Sequence, residues 1–215
     1  MRIDIWSDVV CPWCYLGKVR FEKAVAQLDW ADEIEVRWRA YLLDPTATAE
    51  PKDLASAIER KYGPGAFDGM VKRLGALGAA EGIEYRFDLA QRVSTLDAHR
   101  LLAWAWECAG AEAQGRLKGR LLRAYFEDGA NVASHDTLAG AAADAGLDAD
   151  AALAMLATRD YREEVASDLD AAVERELTGV PAFVVADRFL IPGAQEVETF
   201  TLMLERARQR FGADA

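Results

Sequence analysis

The stretch SDVVCPWCYLG, Ser7 to Gly17, holds two of the chain's three cysteines, separated by one proline and one tryptophan. Its flanks decide what the pair belongs to. Arg2 to Ser7 reads as a short strand, and between Cys14 and Leu28 the residues Leu16, Val19, Phe21, Val25 and Leu28 recur mostly at helical spacing. From Ile34 to Ala40, Ile34, Val36 and Trp38 alternate with Glu35, Arg37 and Arg39, which is the period of a second strand. Strand, helix and strand in that order imply a parallel pair joined by a right-handed crossover. The cysteines then stand where the first strand ends and the helix begins.

Beyond that unit the pattern changes. Pro45 and Pro51 mark a linker, after which the chain reads as helical for well over a hundred residues. Pro51 suits a first helical position, Leu54, Ile58 and Tyr62 form one face, and Gly63-Pro64 stops the helix. Phe67, Met70, Val71, Leu74 and Leu77 continue to Gly78, and Ile83, Tyr85 and Phe87 read as an extended connector. Ser94 and Asp97 resemble a capping box ahead of Leu101, Leu102, Ala105 and Trp106, and Leu117, Leu121, Leu122 and Tyr125 form a further helix closed by Gly129. Ser134 is placed to cap a helix with Leu138 and Ala142, and Asp160 with Glu163 to open one whose face is Val165, Leu169, Ala172 and Val173. Two apolar runs, Ala182 to Val185 and Phe189 to Ile191, joined at Asp187-Arg188, read as a hairpin. A last helix places Val197, Phe200, Leu204, Ala207 and Phe211 on one stripe. The order is β-α-β, a helical block, then α-β-β-α.

Composition narrows the function classes. The 215 residues suffice for a sizeable core, and charged residues at 28% leave no uninterrupted apolar run long enough to span a membrane. A net charge of −11 argues against nucleic acid, because phosphate binding wants clustered Lys and Arg. Arg116, Lys118, Arg120 and Arg123 form the one basic cluster and read as a solvated helix face. Met1 to Asp8 has one arginine and no apolar leader or cleavage site, and three cysteines are too few for a secreted disulfide framework. The expected setting is the cytoplasm.

The pair can be a metal clip, a structural disulfide or a working dithiol. Zinc needs two more ligands, and Cys108, His99 and His135 lie in no metal-binding spacing, so no metal site is expected. A disulfide across two residues closes too small a loop to restrain the unfolded chain much. A dithiol at a helix start meets the needs of disulfide exchange: one accessible sulfur with a lowered pKa, and a second close enough to resolve the mixed disulfide. Cys11 would stand at the first turn, where unpaired N–H groups and the dipole stabilise its thiolate, with Cys14 one turn deeper. Pro12 fixes φ near the helical value and holds the sulfurs in place. Asp8 raises the Cys11 pKa if it points inward, though it reads more simply as a solvated turn carboxylate. Cys108, seven and three residues past Leu101 and Ala105, reads as a buried inert thiol. His99 and His135 read as local hydrogen-bonding residues, and Trp104 and Trp106 as packing between the helical block and the rest.

CPWC at a helix start, Gly179-Val180-Pro181 before the hairpin and a helical block between the halves resemble the DsbA branch of the thioredoxin fold. Together with AHRLL at Ala98 to Leu102, AYFEDG at Ala124 to Gly129 and IPGAQ at Ile191 to Gln195, the sequence is similar to the FrnE-like members of that branch. The resemblance implies an α/β thioredoxin fold, with β-α-β and β-β-α halves and a large all-helical insertion. Residues 1–44 and 174–215 would form the discontinuous thioredoxin-like domain and 45–173 the inserted one. It further implies a thiol–disulfide oxidoreductase or isomerase with Cys11 and Cys14 catalytic, Pro12 and Trp13 tuning the redox poise, and a cis Pro181 whose neighbour Val180 pairs with substrate backbone. No permanent cofactor is implied beyond the Cys11–Cys14 disulfide, with glutathione a candidate reductant; partners would be thiol or disulfide proteins or small molecules. Trp13 stands where DsbA has a histidine, so a milder thiolate and a more stable disulfide are expected. Two other classes remain: a glutathione-dependent transferase or isomerase of the kappa and hydroxychromene-carboxylate type, against which Cys11 counts because a serine stands there, and a non-catalytic peptide-binding module using a groove around Trp13 and Phe183.

Overall fold

A computed structural model describes residues 1–211. Strand β1 (Arg2–Ser7) leads through Asp8, Val9 and Val10 into α1 (Pro12–Val25), and a short 3₁₀ turn at Ala31–Glu33 precedes β2 (Glu35–Ala40). The helical block carries α2 (Leu54–Tyr62), α3 (Ala66–Glu81), α4 (Leu96–Phe126), α5 (His135–Asp144), α6 (Ala149–Leu156) and α7 (Arg162–Glu174). Strands β5 (Ala182–Val185) and β6 (Phe189–Pro192) and helix α8 (Val197–Phe211) complete the described chain. Two-residue strands β3 (Lys52–Asp53) and β4 (Gln91–Arg92) pair antiparallel inside the helical block, a ribbon too short to show as periodicity.

The main sheet runs β2-β1-β5-β6, with β1 parallel to β2 and antiparallel to β5, and β5 antiparallel to β6. Side chains alternate across it as a pleat requires. Ile3, Ile5, Phe183, Val185 and Ile191 join Phe21 of α1 and Phe200 and Leu204 of α8 on one face, while Trp6, Ala182 and Val184 meet Ala172 of α7 on the other. A larger core gathers the outer face of α1, through Tyr15 and Leu16, with Leu101, Leu117, Leu121, Leu122 and Phe126 of α4.

The exposed edge of β2 is finished by a side chain. Gln114 of α4 accepts from the Trp38 N–H at 2.8 Å and donates to the Trp38 carbonyl at 3.0 Å and the Leu102 carbonyl at 3.1 Å. Its amide thus replaces a neighbouring strand and ties α4 to the sheet. Further along the same edge, Asp168 of α7 binds Arg39 at 2.8 Å and accepts from the Ala40 N–H at 2.9 Å.

Several local expectations are corrected. Pro51 precedes β3, and α2 begins after Asp53, whose carboxylate accepts the Ser56 N–H at 2.8 Å. Tyr62 is exposed, as is Val173 of α7, where Asp168 takes the buried place that the hydrophobic pattern had given to a neighbour. The Ser94–Asp97 capping box does not form: Thr95 is the N-cap of α4, and Asp97 turns to Arg100 at 2.8 Å instead. Helix α7 is entered through Tyr161 at φ 63° rather than through Asp160, whose carbonyl accepts from Arg100. The two helices expected across residues 101–125 are, by contrast, both present: α4 is two helical segments that meet at Gly110, where φ is 77° and ψ is −170°. Cys108, two residues before that break, is exposed rather than buried: it continues the stripe of Leu101 and Ala105, but the whole last turn before Gly110, residues 107–109, lies exposed. Helix α6, alanine-rich and only eight residues long, carries too little periodicity to be read.

Candidate functional site

Helix α1 starts at Pro12 with Cys11 as its N-cap, at φ −94° and ψ 112°. The Cys14 and Tyr15 N–H groups both donate to the Cys11 carbonyl, at 3.0 and 3.2 Å, so the first turn is closed by backbone and the Cys11 side chain makes no capping bond. Cys11 is 3% exposed and Cys14 fully buried. Both are free thiols.

The Val180–Pro181 peptide is cis, and its loop meets the start of α1. The Cys11 Sγ lies 3.7 Å from the Val180 carbonyl oxygen, close enough for the thiol to donate. The approach depends on Gly17: a Cβ there would come within 2.9 Å of Pro181 Cγ and 3.4 Å of Ala194 Cβ, so a side chain would push the loop off the helix. Tyr85, from the extended connector, donates its hydroxyl to the Pro12 carbonyl and so fixes the other side of the turn. Trp13 is half-buried, and its ring carries the Arg73 guanidinium of α3 5.0 Å from its centroid. Cys11, Pro12, Trp13 and Val180 open onto a groove of about 650 Å³ walled by Tyr41, Leu42 and Leu43 and by the inner face of α2. Phe183, expected beside Trp13, is instead fully buried in the sheet core against Phe21 and Phe200.

Beneath the pair lies a set of charges that the sequence pattern assigned to solvent. Asp8 is 1% exposed and accepts from the Leu43 N–H at 2.8 Å, with His99 Nε2 3.3 Å away. Burial works against its charge, but the His99 and Leu43 hydrogen bonds and the Lys118 ammonium prevail and hold its carboxyl below the usual range. Lys118, expected on a solvated face, is fully buried and donates to the Ser7 carbonyl at 3.3 Å. Its ammonium and that of Lys18 both lie 5.7 Å from the centre of the Trp38 ring. Burial pushes the Lys118 pKa down to about 8, against the pull of the Cys14, Asp8 and Cys11 charges. One signal did exist: Gln114, Leu117, Lys118, Leu121, Leu122 and Tyr125 form a single stripe at helical spacing, with Lys118 inside it.

The two buried thiols are hydrogen-bonded to each other, and each shifts the titration of the other. The Cys11 proton is given to Cys14, and with burial this holds the Cys11 thiol well above the ordinary range. Cys14 goes the other way: burial opposes its ionisation, but the hydrogen bond from Cys11, the Lys118 charge and the Ser7 hydroxyl carry it below the ordinary range. The two sulfurs behave as one group sharing a proton. His135 bonds Asp97 at 3.1 Å, far from this site in the sequence and outside its hydrogen-bond network.

A family model described as DSBA-like thioredoxin domain matches residues 2–205. A solved structure of a probable DsbA oxidoreductase from Streptomyces coelicolor is 38% identical, covers all of this chain and 92% of its own, and superposes with a TM-score of 0.88. The uncharacterized protein YwbO of Bacillus subtilis is 27% identical over 202 residues, 93% of this chain and 94% of that one. At 16% identity, the cytosolic disulfide reductase DsbM of Pseudomonas aeruginosa shares the fold, with a TM-score of 0.71 over 98% of this chain and 100% of that one; it has also been solved with GSH.

Proposed function

Because this chain belongs to the DSBA-like thioredoxin domain family, we propose that it is a thiol–disulfide oxidoreductase in which Cys11 attacks and Cys14 resolves. One observation carries the assignment: Cys11 stands at the head of α1, at the groove, with its sulfur against the Val180 carbonyl of the cis-proline loop. An extended substrate that pairs with the Val180 backbone would bring its own disulfide over that sulfur. The Cys11 thiolate attacks the substrate disulfide and releases one substrate sulfur as thiolate. Cys14 then attacks Cys11 of the mixed disulfide and releases the second. The substrate gains two electrons, and the protein keeps a Cys11–Cys14 disulfide until a thiol reductant of the glutathione class returns two electrons. Run backwards, the same steps oxidise a substrate dithiol to its disulfide; where a second substrate thiolate, rather than Cys14, attacks the mixed disulfide, Cys11 leaves as thiolate and the substrate disulfide is isomerised with no net transfer of electrons.

Pro12 and Trp13 act on the redox poise from within the turn, and Val180 and Pro181 form the substrate-facing loop. The functional division we adopt is residues 1–44 with 174–215 as the redox domain and 45–173 as the insertion that walls the groove. The motifs around Cys11, Ala98 and Ile191 support a place in the FrnE-like branch. An exposed free Cys108 suits a reducing compartment, which supports the cytoplasm. Among the described residues no helix is long and apolar enough to cross a membrane.

Equilibration with glutathione buffers tests the reading. Alkylation and mass spectrometry should show a loss of two hydrogens confined to the Cys11–Cys14 peptide, and Cys14→Ser should accumulate mixed disulfides while Cys11→Ser traps none. A pair that stays reduced under mild oxidation would overturn it.

A further inference from the structure

One hydroxyl reaches the first turn of α1 from the helical block. Tyr85, in the connector that follows α3, donates to the Pro12 carbonyl at 2.5 Å. Its ring is boxed in. Phe87 stacks on it with centroids 5.0 Å apart, Tyr15 and Phe126 meet it edge-on at 5.9 and 5.3 Å, and one edge lies on Gly78 of α3, where a Cβ would come within 2.5 Å of two ring carbons. A ring packed on so many sides keeps its hydroxyl aimed in one direction. The Pro12 carbonyl belongs to the same peptide unit as the Trp13 N–H. The side chain of an N-cap residue takes its hydrogen bond from the second or third helical N–H, which for Cys11 means Trp13 or Cys14. The Cys14 N–H already donates to the Cys11 carbonyl at 3.0 Å, whereas the Trp13 N–H has no partner among the described residues. It is the open donor on which a negative charge at the Cys11 sulfur would draw.

We propose that Tyr85 is a positioning residue for the exchange reaction: its bond to the Pro12 carbonyl polarises the Pro12–Trp13 peptide and so strengthens the Trp13 N–H as the donor that holds the Cys11 thiolate. This rests on the reading of Cys11 as the attacking sulfur. A carbonyl that accepts a hydrogen bond draws electron density to its oxygen and leaves the N–H of the same peptide a better donor, so that bonds in a chain strengthen one another. The chain here runs from the Tyr85 O–H through the Pro12 carbonyl to the Trp13 N–H, and it ends on the sulfur once Cys11 is ionised. It works against the proton shared with Cys14, the burial and the Asp8 carboxylate, which all oppose charge on Cys11. When the Cys11 sulfur bonds to a substrate sulfur or to Cys14, its charge is gone and the stabilisation goes with it. Tyr85 therefore favours the dithiol over the disulfide. The helical insertion then sets the redox poise of the pair as well as walling its groove.

The test uses Tyr85→Phe, which keeps the ring and removes only the hydroxyl. Ionisation of Cys11 is followed by its thiolate absorbance against pH in a Cys14→Ser background, and the potential of the intact pair by equilibration with glutathione buffers. Polarisation is worth about a tenth to a third of a charge-assisted hydrogen bond, so the Cys11 ionisation constant should fall about two- to fourfold. The exchange equilibrium should move by the same factor toward the disulfide, which makes the potential about 9–18 mV more negative at about 30 mV per tenfold. Asp8 from the loop after β1, Lys118 of α4, Arg73 of α3 and residue 14 are the same on both sides of each comparison, so they do not produce the shift. Tyr15→Phe loses a hydroxyl from the same cluster of rings, one that binds Glu127 at 2.7 Å and not the turn, and should leave both readings unmoved. Gly78→Ala, whose new Cβ displaces the Tyr85 ring, should repeat the Tyr85→Phe shift and add nothing to it in the double variant. Unchanged or stronger Cys11 ionisation in Tyr85→Phe, or an equal shift in Tyr15→Phe, overturns the proposal. The ionisation reading needs no disulfide chemistry, so it stands even where the pair fails to oxidise in glutathione buffers, the result that would overturn the oxidoreductase reading instead.

Discussion

At the scale of single residues, Trp13 shows how a position can be read correctly for what it lacks and incompletely for what surrounds it. Indole holds no charge, yet a charge does reach this place, as the Arg73 guanidinium stacked on the ring 5.0 Å from its centroid. A histidine would put a protonatable group directly on the turn. Trp13→His should therefore lower the pKa of Cys11, stabilise the dithiol relative to the disulfide, and make the protein the stronger oxidant. A tenfold change in the exchange equilibrium corresponds to about 30 mV, so a glutathione titration resolves the effect. A potential that stays put or becomes more negative in the variant would mean that groups below the turn, not the residue between the cysteines, set the poise. The sequence offered the two cysteines, Pro12 and Trp13 directly. It offered no sign that Asp8 turns inward, because a carboxylate beside a strand end looks the same whether solvent or His99 receives it.

At the scale of elements, α4 does more for the site than its place in an insertion suggests. One stripe of this helix supplies Gln114 to the edge of β2 and Lys118 to the floor of the cysteine pair, one turn apart. The Gln114 amide answers two backbone groups at the edge of β2, the Trp38 N–H and the Trp38 carbonyl, and adds a bond to the Leu102 carbonyl within α4. Leucine fills a similar volume and answers none of them. Gln114→Leu should cost about 2–4 kcal/mol, the penalty for orphaning two buried backbone groups. Urea unfolding should show this as a lower midpoint with an unchanged slope. Near-wild-type stability would mean that α4 holds to the sheet by its apolar contacts alone. The expectation for this region had two helices, and the break at Gly110 is where one ends and the other begins; what spacing alone does not state is that the second half lies along β2.

At the scale of the whole molecule, a buried lysine makes stability depend on pH in a window that surface groups leave quiet. In the unfolded chain Lys118 keeps its proton up to about 10.5, whereas in the fold burial brings its pKa down to about 8. Below about 8 both states hold the proton and the group adds no slope. Between the two values the unfolded state binds more protons, so this group raises folding stability as pH climbs, fully above the unfolded value and not at all below the folded one. In a Cys11→Ser/Cys14→Ser background, where no thiol titrates at the site and the thiolate charges that raise Lys118 are gone, the folded pKa falls below about 8, so the stability difference between Lys118 and Lys118→Met should already be growing in favour of lysine at pH about 8 and go on growing to about 10. A flat difference across that range, read from denaturant midpoints, would show that the ammonium is solvated in the folded state. What the sequence by itself determined is the plan: alternation in Ile34 to Trp38, helical spacing after Cys14, the Asp187-Arg188 turn and C-x-x-C at a strand-to-helix junction are local patterns, and local patterns follow from backbone geometry that needs no distant partner. What only the tertiary structure decided is which polar groups are removed from water. Lys118 and Asp8 become the floor of the site, Cys108 becomes exposed and Phe183 becomes core, because burial is settled by elements more than a hundred residues apart meeting on one face of β1, and a helical stripe records which residues share a side without recording what that side will touch.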